Sequence, residues 1–232
     1  ITKNRAASQT TTLANPEAAA LAARELITAA RQTGDTRYWG RAQAMLAPWW
    51  NKPDAPTDLM VLQATIQQGR HEFSEARSVL TRALKLNPAQ AQGWLNLATL
   101  ERLAGNYARA LQACEAVGQA GQALYAQACQ LETQSLQGKT NEARTGLQTL
   151  ISAADNAATR SWLLSLLAES EERAGKDGAA LKAYQSSLKQ EADLYTSIAL
   201  SDLLLRTGKH QDALKVLTGL PATDAVLLRQ AT

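Results

Sequence analysis

Aromatic residues are few in this 232-residue chain: one Phe, five Tyr and five Trp, 5% of the total. With so little aromatic and β-branched material, a sheet protein is excluded. Two cysteines cannot staple a chain of this length, and two histidines leave little material for a metal centre. No apolar run approaches the roughly 20 residues that a membrane span requires. The longest candidate, Trp162 to Ala168, is short and contains Ser165. Charge is nearly balanced, 24 Lys and Arg against 21 Asp and Glu, so the clustered basic footprint of a nucleic-acid binder is missing. An apolar share of 45% excludes disorder. What the chain does hold is 45 Ala and 35 Leu, 80 of its 232 positions, and both are strong helix formers. The composition predicts an all-helical protein.

A period runs through that composition. An aromatic or polar residue, two further positions and then an alanine recur as Trp39-Gly-Arg-Ala42, Phe73-Ser-Glu-Ala76 and Tyr107-Ala-Arg-Ala110. Weaker copies follow as Thr140-Asn-Glu-Ala143, Asp177-Gly-Ala-Ala180 and His210-Gln-Asp-Ala213. The alanines are spaced by 34, 34, 33, 37 and 33 residues. Glycines at 105, 138, 175 and 208 keep step, each two residues ahead of the first slot. On either side of this turn, apolar residues recur at helical spacing, as in Trp94-Leu95-Asn96-Leu97-Ala98-Thr99-Leu100 and in Ala76, Val79, Leu80, Ala83 and Leu84. Each unit therefore reads as two helices, with a small alanine letting the second lie close on the first. Asn15-Pro16 reads as an N-cap followed by proline at the first helical position, and Asn87-Pro88 closes a unit.

These residues resemble the tetratricopeptide repeat, a 34-residue helix–turn–helix unit. Phe73, Ala76, Leu80, Ala83 and Pro88 fit the second half of one unit, and Trp94, Leu97, Ala98, Gly105, Tyr107 and Ala110 fit the next. Cys114 departs from the pattern by filling an aromatic slot. The resemblance implies an all-α, right-handed α-solenoid of about six repeats, because one helix pair cannot bury its apolar face alone. The expected organisation is a flexible leader over 1–14 and one superhelical domain over 15–232. Its repeats fall at about 15–56, 57–90, 91–123, 124–160, 161–193 and 194–222. The 37-residue spacing is assigned to an inserted loop, Ala153 to Thr159. A terminal helix over Ala222 to Thr232 is expected to turn Leu227 and Leu228 inward and to be either a cap or a repeat cut short. The segment from Gly34 to Trp50 resembles exported tetratricopeptide repeat proteins of Gram-negative bacteria, and the chain begins at Ile1. A periplasmic or otherwise exported location is the expectation, with a cytoplasmic one as the alternative.

Chemistry is harder to find. No HExxH, GxSxG, GxxxxGK[ST] or CxxC pattern occurs. His71 and His210 both fall in turns, where an exposed polar residue is ordinary, and no set of residues suggests catalysis, a metal or a cofactor. Cys114 and Cys129 stand about equally far from the Gly118-Gln-Ala-Gly121 turn, one on each side of a helical hairpin. That register admits a disulfide if both face the seam; two buried thiols are the other reading. A disulfide would accord with export.

By resemblance, the first helix of each repeat lines a concave groove that holds a protein or peptide partner. Carried onto this sequence, the family's contact slots place Gln92, Tyr125, Trp162 and Tyr195 in one row and Thr65, Thr99, Glu132, Glu169 and Asp202 in a second. Arg102, Arg173 and Arg206 stand near the helix ends. An extended peptide or a partner's helix could lie across aromatic, acidic and basic rows. In the other arrangement the aromatics wedge repeats apart and the charges pair along each helix. Asn96 and Arg102 echo the clamp that holds acidic chain termini, but its ring of lysines is missing. Near the N-terminus, Trp39 is expected in the core, Trp49 at the junction with the second repeat and Trp50 under the loop to Pro56. The reading is a non-catalytic protein-binding scaffold without cofactor or nucleic acid. The alternative is an accessory module of an envelope machine for polysaccharide or secretion, with a carbohydrate or enzyme client.

Overall fold

The computed structural model describes residues 15–231, so the expected leader over 1–14 and the last residue, Thr232, lie outside the described residues. Thirteen α-helices and one 3-10 turn make up the described chain, and no strand occurs among the described residues. They are α1 (Pro16–Thr33), α2 (Arg37–Met45), α3 (Thr57–Gly69), α4 (Phe73–Leu86), α5 (Ala91–Leu103), α6 (Tyr107–Gln119) and α7 (Ala123–Leu136). Then come α8 (Thr140–Ala153), α9 (Ala157–Arg173), α10 (Asp177–Gln190), α11 (Leu194–Arg206), α12 (His210–Leu217) and α13 (Asp224–Gln230). Helices pair consecutively, as α3 does with α4, α5 with α6, α9 with α10 and α11 with α12. The fold is an α-solenoid of helix–turn–helix pairs. By its contacts the chain divides into two compact units: Asp35–Ala123 with the chain up to Ala30, and Leu124–Thr232 with Arg31–Gly34.

All six periodic alanines (42, 76, 110, 143, 180 and 213) are fully buried. Five of them lie in the first turn of a second helix and Ala42 in the second turn of α2, where a larger side chain would force the pair apart.

In the first unit, Ala23, Ile27, Ala42, Leu46, Leu59 and Ile66 form one core cluster, and Met60, Ala64, Ala76, Leu80, Ala83 and Leu100 another. Trp49, half-buried, packs on both. Trp50 packs on the first, and Trp39 lies against Gly69, where a Cβ would stand 2.5 Å from the indole. Trp39 is thus half-buried against the backbone of α3 rather than enclosed. Asn15 caps α1 as expected, its side-chain oxygen accepting from the backbone N–H of Glu17 at 2.9 Å.

In the second unit, Leu147, Leu163, Leu167, Ala180, Tyr184, Leu200 and Leu203 build a continuous core. Two expectations are corrected here. The 37-residue spacing contains no long loop: only residues 154–156 separate α8 from α9. The extra length is helix, giving α9 17 residues against 13 in α5 and α11. Asn156 starts it by accepting the N–H of Thr159 at 2.8 Å, and helix-favouring residues follow. The terminal helix α13 starts at Asp224 behind a Thr223 cap, and Val226 is its buried residue, while Leu227 and Leu228 are exposed. Four apolar residues in succession, Ala225 to Leu228, carry no helical period, so packing against Leu194 and Leu217 selects the face.

Candidate functional site

Three first helices of the second unit, α7, α9 and α11, follow one another, and hydroxyls hold them together. Ser135 of α7 donates to Ser170 of α9 at 2.9 Å, and Ser165 of α9 meets Thr196 of α11 at 3.0 Å. From the intervening α10, Ser187 reaches both Ser161 and Ser165 at 2.9 Å. These side chains are all buried, and each is hydrogen-bonded, so the polar seam costs little and sets the stagger of the helices. Asp193 caps α11, taking the N–H and the hydroxyl of Thr196, both at 2.7 Å.

On this frame the aromatic row forms. Tyr125 of α7 and Trp162 of α9 are in ring contact, with centroids 5.3 Å apart and planes tilted by 39°. Tyr195, in the first turn of α11, is 62% exposed, and its hydroxyl donates to Glu169 Oε1 of α9 at 2.8 Å. Although the ring is exposed, the Tyr195 phenol is pushed well above its ordinary range. Desolvation of its hydroxyl end is the largest cause, followed by the charge and hydrogen bond of Glu169 and then the charge of Glu132.

Charges interlock beside that row. Arg173 lies 3.6 Å from Glu169, one turn away on α9, and reaches Ser135 Oγ at 3.2 Å. Arg206 of α11 donates to Asp177 at 2.9 Å and to Glu172 at 3.1 Å. Those two acceptors, Asp177 first, raise the Arg206 guanidinium above its ordinary value. Glu172 also accepts from the Tyr184 hydroxyl at 3.0 Å. Glu169, Glu172, Arg173 and Arg206 line an open cavity of about 320 Å³.

The structure thus joins Tyr125 with Trp162, and Tyr195 with Glu169 and Arg173, and it seats Glu132 within electrostatic reach of Tyr195. Asp202 instead forms a two-point pair with Arg229 of α13 at 2.5 and 2.7 Å. The wedge reading holds only in part: Arg173–Glu169 runs along one helix, but Arg206 pairs between helices and Tyr195 stays exposed.

The equivalent positions of the first unit do something else. Arg102 of α5 donates to Thr99 at 3.0 Å. Thr65 is buried and accepts from Asn96 at 2.8 Å, while Gln92 donates to Asn96 at 2.9 Å. A groove slot is therefore core here, and Asn96 is occupied by its neighbours rather than offered to an acidic terminus. A second cavity, of about 600 Å³, opens among Pro48, Trp49, Lys52, Asp54 and Pro56.

Cys114 and Cys129 are both buried and both disulfide-bonded. His71 meets Phe73 edge to face, and His210 begins α12. Among the described residues no three His, Cys, Asp or Glu side chains come together in a way that could hold a metal. No helix among them is long and apolar enough to cross a membrane.

Two buried ion pairs escaped the sequence reading. In the first unit Glu101 of α5, 4% exposed, binds Arg77 of α4 at 2.8 Å and accepts from Asn106 at 2.9 Å. In the second, Glu171 of α9 is buried to the same degree and takes Arg144 of α8 on both oxygens, Nη2 to Oε2 at 2.7 Å. The signal was present: each Glu lies four residues before a turn glycine (Gly105, Gly175), and each Arg four residues into a second helix. Such spacing is indistinguishable from a solvated face until the helices are stacked.

Residues 61–127 match the tetratricopeptide repeat family model. No curated protein matches the chain. Among solved structures, a crystal structure of the APC/C hetero-tetramer Cut9–Hcn1 superposes with a TM-score of 0.62 at 14% identity, covering 88% of this chain and 39% of that one. The thermophilic TPR protein TTC0263 of Thermus thermophilus gives 0.62 at 18% identity, covering 82% of this chain and all (100%) of that one. A tetratricopeptide repeat protein from Parabacteroides merdae gives 0.53 at 17% identity, with 90% and 84% covered. At these identities the likeness is one of fold.

Proposed function

We propose that this chain, whose residues 61–127 match the tetratricopeptide repeat family model, is a non-catalytic scaffold holding a protein partner along α7, α9 and α11. One observation carries the proposal. Tyr125, Trp162 and Tyr195 stand on three successive first helices of one unit, and Tyr195 is fixed by Glu169 with its ring exposed. Rigid aromatic rings give contact area at low entropic cost, which is why they dominate binding surfaces. The partner is an extended polypeptide segment, and the site does no chemistry on it.

The compartment we propose is the bacterial envelope. Buried cysteines that are both disulfide-bonded suit an oxidising compartment, since the cytosol keeps thiols reduced. Alkylation before mass measurement under non-reducing conditions tests this: two alkylated thiols on protein from its native cell would refute it.

The binding reading is tested by selecting ligands from a displayed peptide library and measuring them against Tyr125→Ala/Tyr195→Ala. Both rings are exposed, so far-UV circular dichroism should be unchanged while affinity falls at least about tenfold. Unchanged affinity would remove the groove from the account. Selection of oligosaccharides in place of peptides would favour an accessory module with a carbohydrate client.

A further inference from the structure

We infer that the residue after a periodic alanine and the residue four before the next turn form a matched junction key, which admits the correct neighbouring helix and rejects a wrong one as the array assembles. The key concerns assembly and does not depend on what the protein binds.

At four junctions inside the two units a second helix packs on the first helix that follows: α2 on α3, α4 on α5, α8 on α9 and α10 on α11. The first-helix slot holds Gln67, Glu101, Glu171 and Leu204, four residues before His71, Gly105, Gly175 and Gly208. All four are buried, 3–4% exposed. The second-helix slot holds Gln43, Arg77, Arg144 and Leu181, each directly after its alanine and each half-buried. Burial is therefore the same at every junction, but the chemistry is not. The first sets an amide with an amide, the next two a guanidinium with a carboxylate, and the fourth a leucine with a leucine. Arg77 binds Glu101 at 2.8 Å, and Arg144 takes both oxygens of Glu171. Leu181 packs on the core cluster that contains Leu204, and Gln43 accepts from Arg70, three residues past Gln67. At none of the four is a charge set against a leucine.

Matching matters because the rest of the interface is repeated. The second helices offer the same fully buried alanine, so that contact cannot tell one neighbour from another. Misassembly is a characteristic failure of repeat proteins, and it arises when a helix pair meets an open repeat of another molecule. The keys make such encounters unequal. With α10 in the place of α8, Glu171 would be buried against Leu181; with α8 in the place of α10, Arg144 would face buried Leu204. A buried charge without its partner is strongly disfavoured, whereas the correct encounter satisfies both groups. The two charged keys are alike, but they stand in different units, each beside a neutral key of another kind: amide in the first unit and leucine in the second.

The experiment is refolding from urea at rising protein concentration, with recovered monomer read by size-exclusion chromatography. Arg144→Leu/Glu171→Leu gives the α8–α9 junction the leucine key of α10–α11, and Leu181→Arg/Leu204→Glu gives α10–α11 the charged key of α8–α9. Both erase the difference between junctions of the second unit, one by removing an ion pair and the other by adding one. Each should lose at least about half of the monomer that the parent recovers at the highest concentration. Arg144→Gln/Glu171→Gln removes the charges but keeps a polar key distinct from leucine, so it should refold as fully as the parent. Full recovery of monomer by the Arg144→Leu/Glu171→Leu protein would overturn the inference. So would an equal loss in the Gln variant, which would trace the effect to the missing charges rather than to matching. If Leu181→Arg/Leu204→Glu does not fold at all, the comparison of the Leu and Gln variants decides by itself.

Discussion

Removing Arg144 should damage this protein more than its surface location suggests. The Glu171 carboxylate that it serves is 4% exposed, and Arg144 supplies a donor to each of its oxygens. Arg144→Leu therefore leaves a buried charge uncompensated, a loss of about 3–5 kcal/mol. Glu171→Leu is milder, about 1–2 kcal/mol, because Arg144 retains Asn141 at 2.8 Å and a side chain 21% exposed to water. The double variant removes both charges and should recover to within about 1 kcal/mol of the parent, so the coupling energy is about 3–6 kcal/mol. The repeated pair in the first unit is an internal control. Glu101 keeps Asn106 when Arg77 is lost, and Arg77 is 34% exposed, so Arg77→Leu should cost clearly less than Arg144→Leu. Urea unfolding followed by far-UV circular dichroism measures all five proteins. Repeat arrays need not unfold in one step, so the transition of each unit is fitted separately. Additive single losses, with coupling below about 0.5 kcal/mol, would refute the claim that the pair acts as a buried unit.

Two further tests address the repeat itself. Ala110→Leu and Ala143→Leu insert bulk at fully buried helix contacts and should destabilise by about 1–3 kcal/mol, whereas Ala44→Leu, on an exposed face of α2, should stay within about 0.5 kcal/mol; thermal melts compare them, and equal effects would deny the alanines their packing role. His71 occupies the turn position that Gly105 holds in the next repeat, with φ of 61° against 74°. A side chain in that left-handed region is strained, so His71→Gly should stabilise by up to about 1 kcal/mol, less whatever its ring contact with Phe73 contributes. Gly105→Ala, whose Cβ would meet no neighbour, should lose about 1 kcal/mol from the backbone alone. Denaturant midpoints read both, and a gain at Gly105 would contradict the argument.

Much of the fold was legible because its signals are local or strictly periodic. Alanine at a spacing near 34, glycine in four of the turns, two residues before the second helix, and Asn-Pro boundaries all report backbone and packing demands that recur along the chain. What failed was not periodic. The Ala153 to Thr159 stretch reads equally as loop or as helix, and only the Asn156 cap and the stacking of α9 decide for helix. Ala225 to Leu228 offers four apolar residues to two turns, so its buried face had to come from its neighbours. Of the site, the aromatic row and its carboxylates followed from repeat register, but the partners did not. That Asp202 goes to Arg229, Arg206 to Glu172 and Asp177, and Thr65 into the core depends on which side chains reach one another across separate helices.

The sequence by itself determined the repeating unit and the face that each periodic helix buries, because helix propensity, turn chemistry and the small-residue contact act within one repeat. Tertiary structure alone decided how charge is distributed over the exposed face of α7, α9 and α11. Long Arg and Glu side chains have several partners within reach along their own helix, and only the stagger imposed by the serine and threonine seam selects among them.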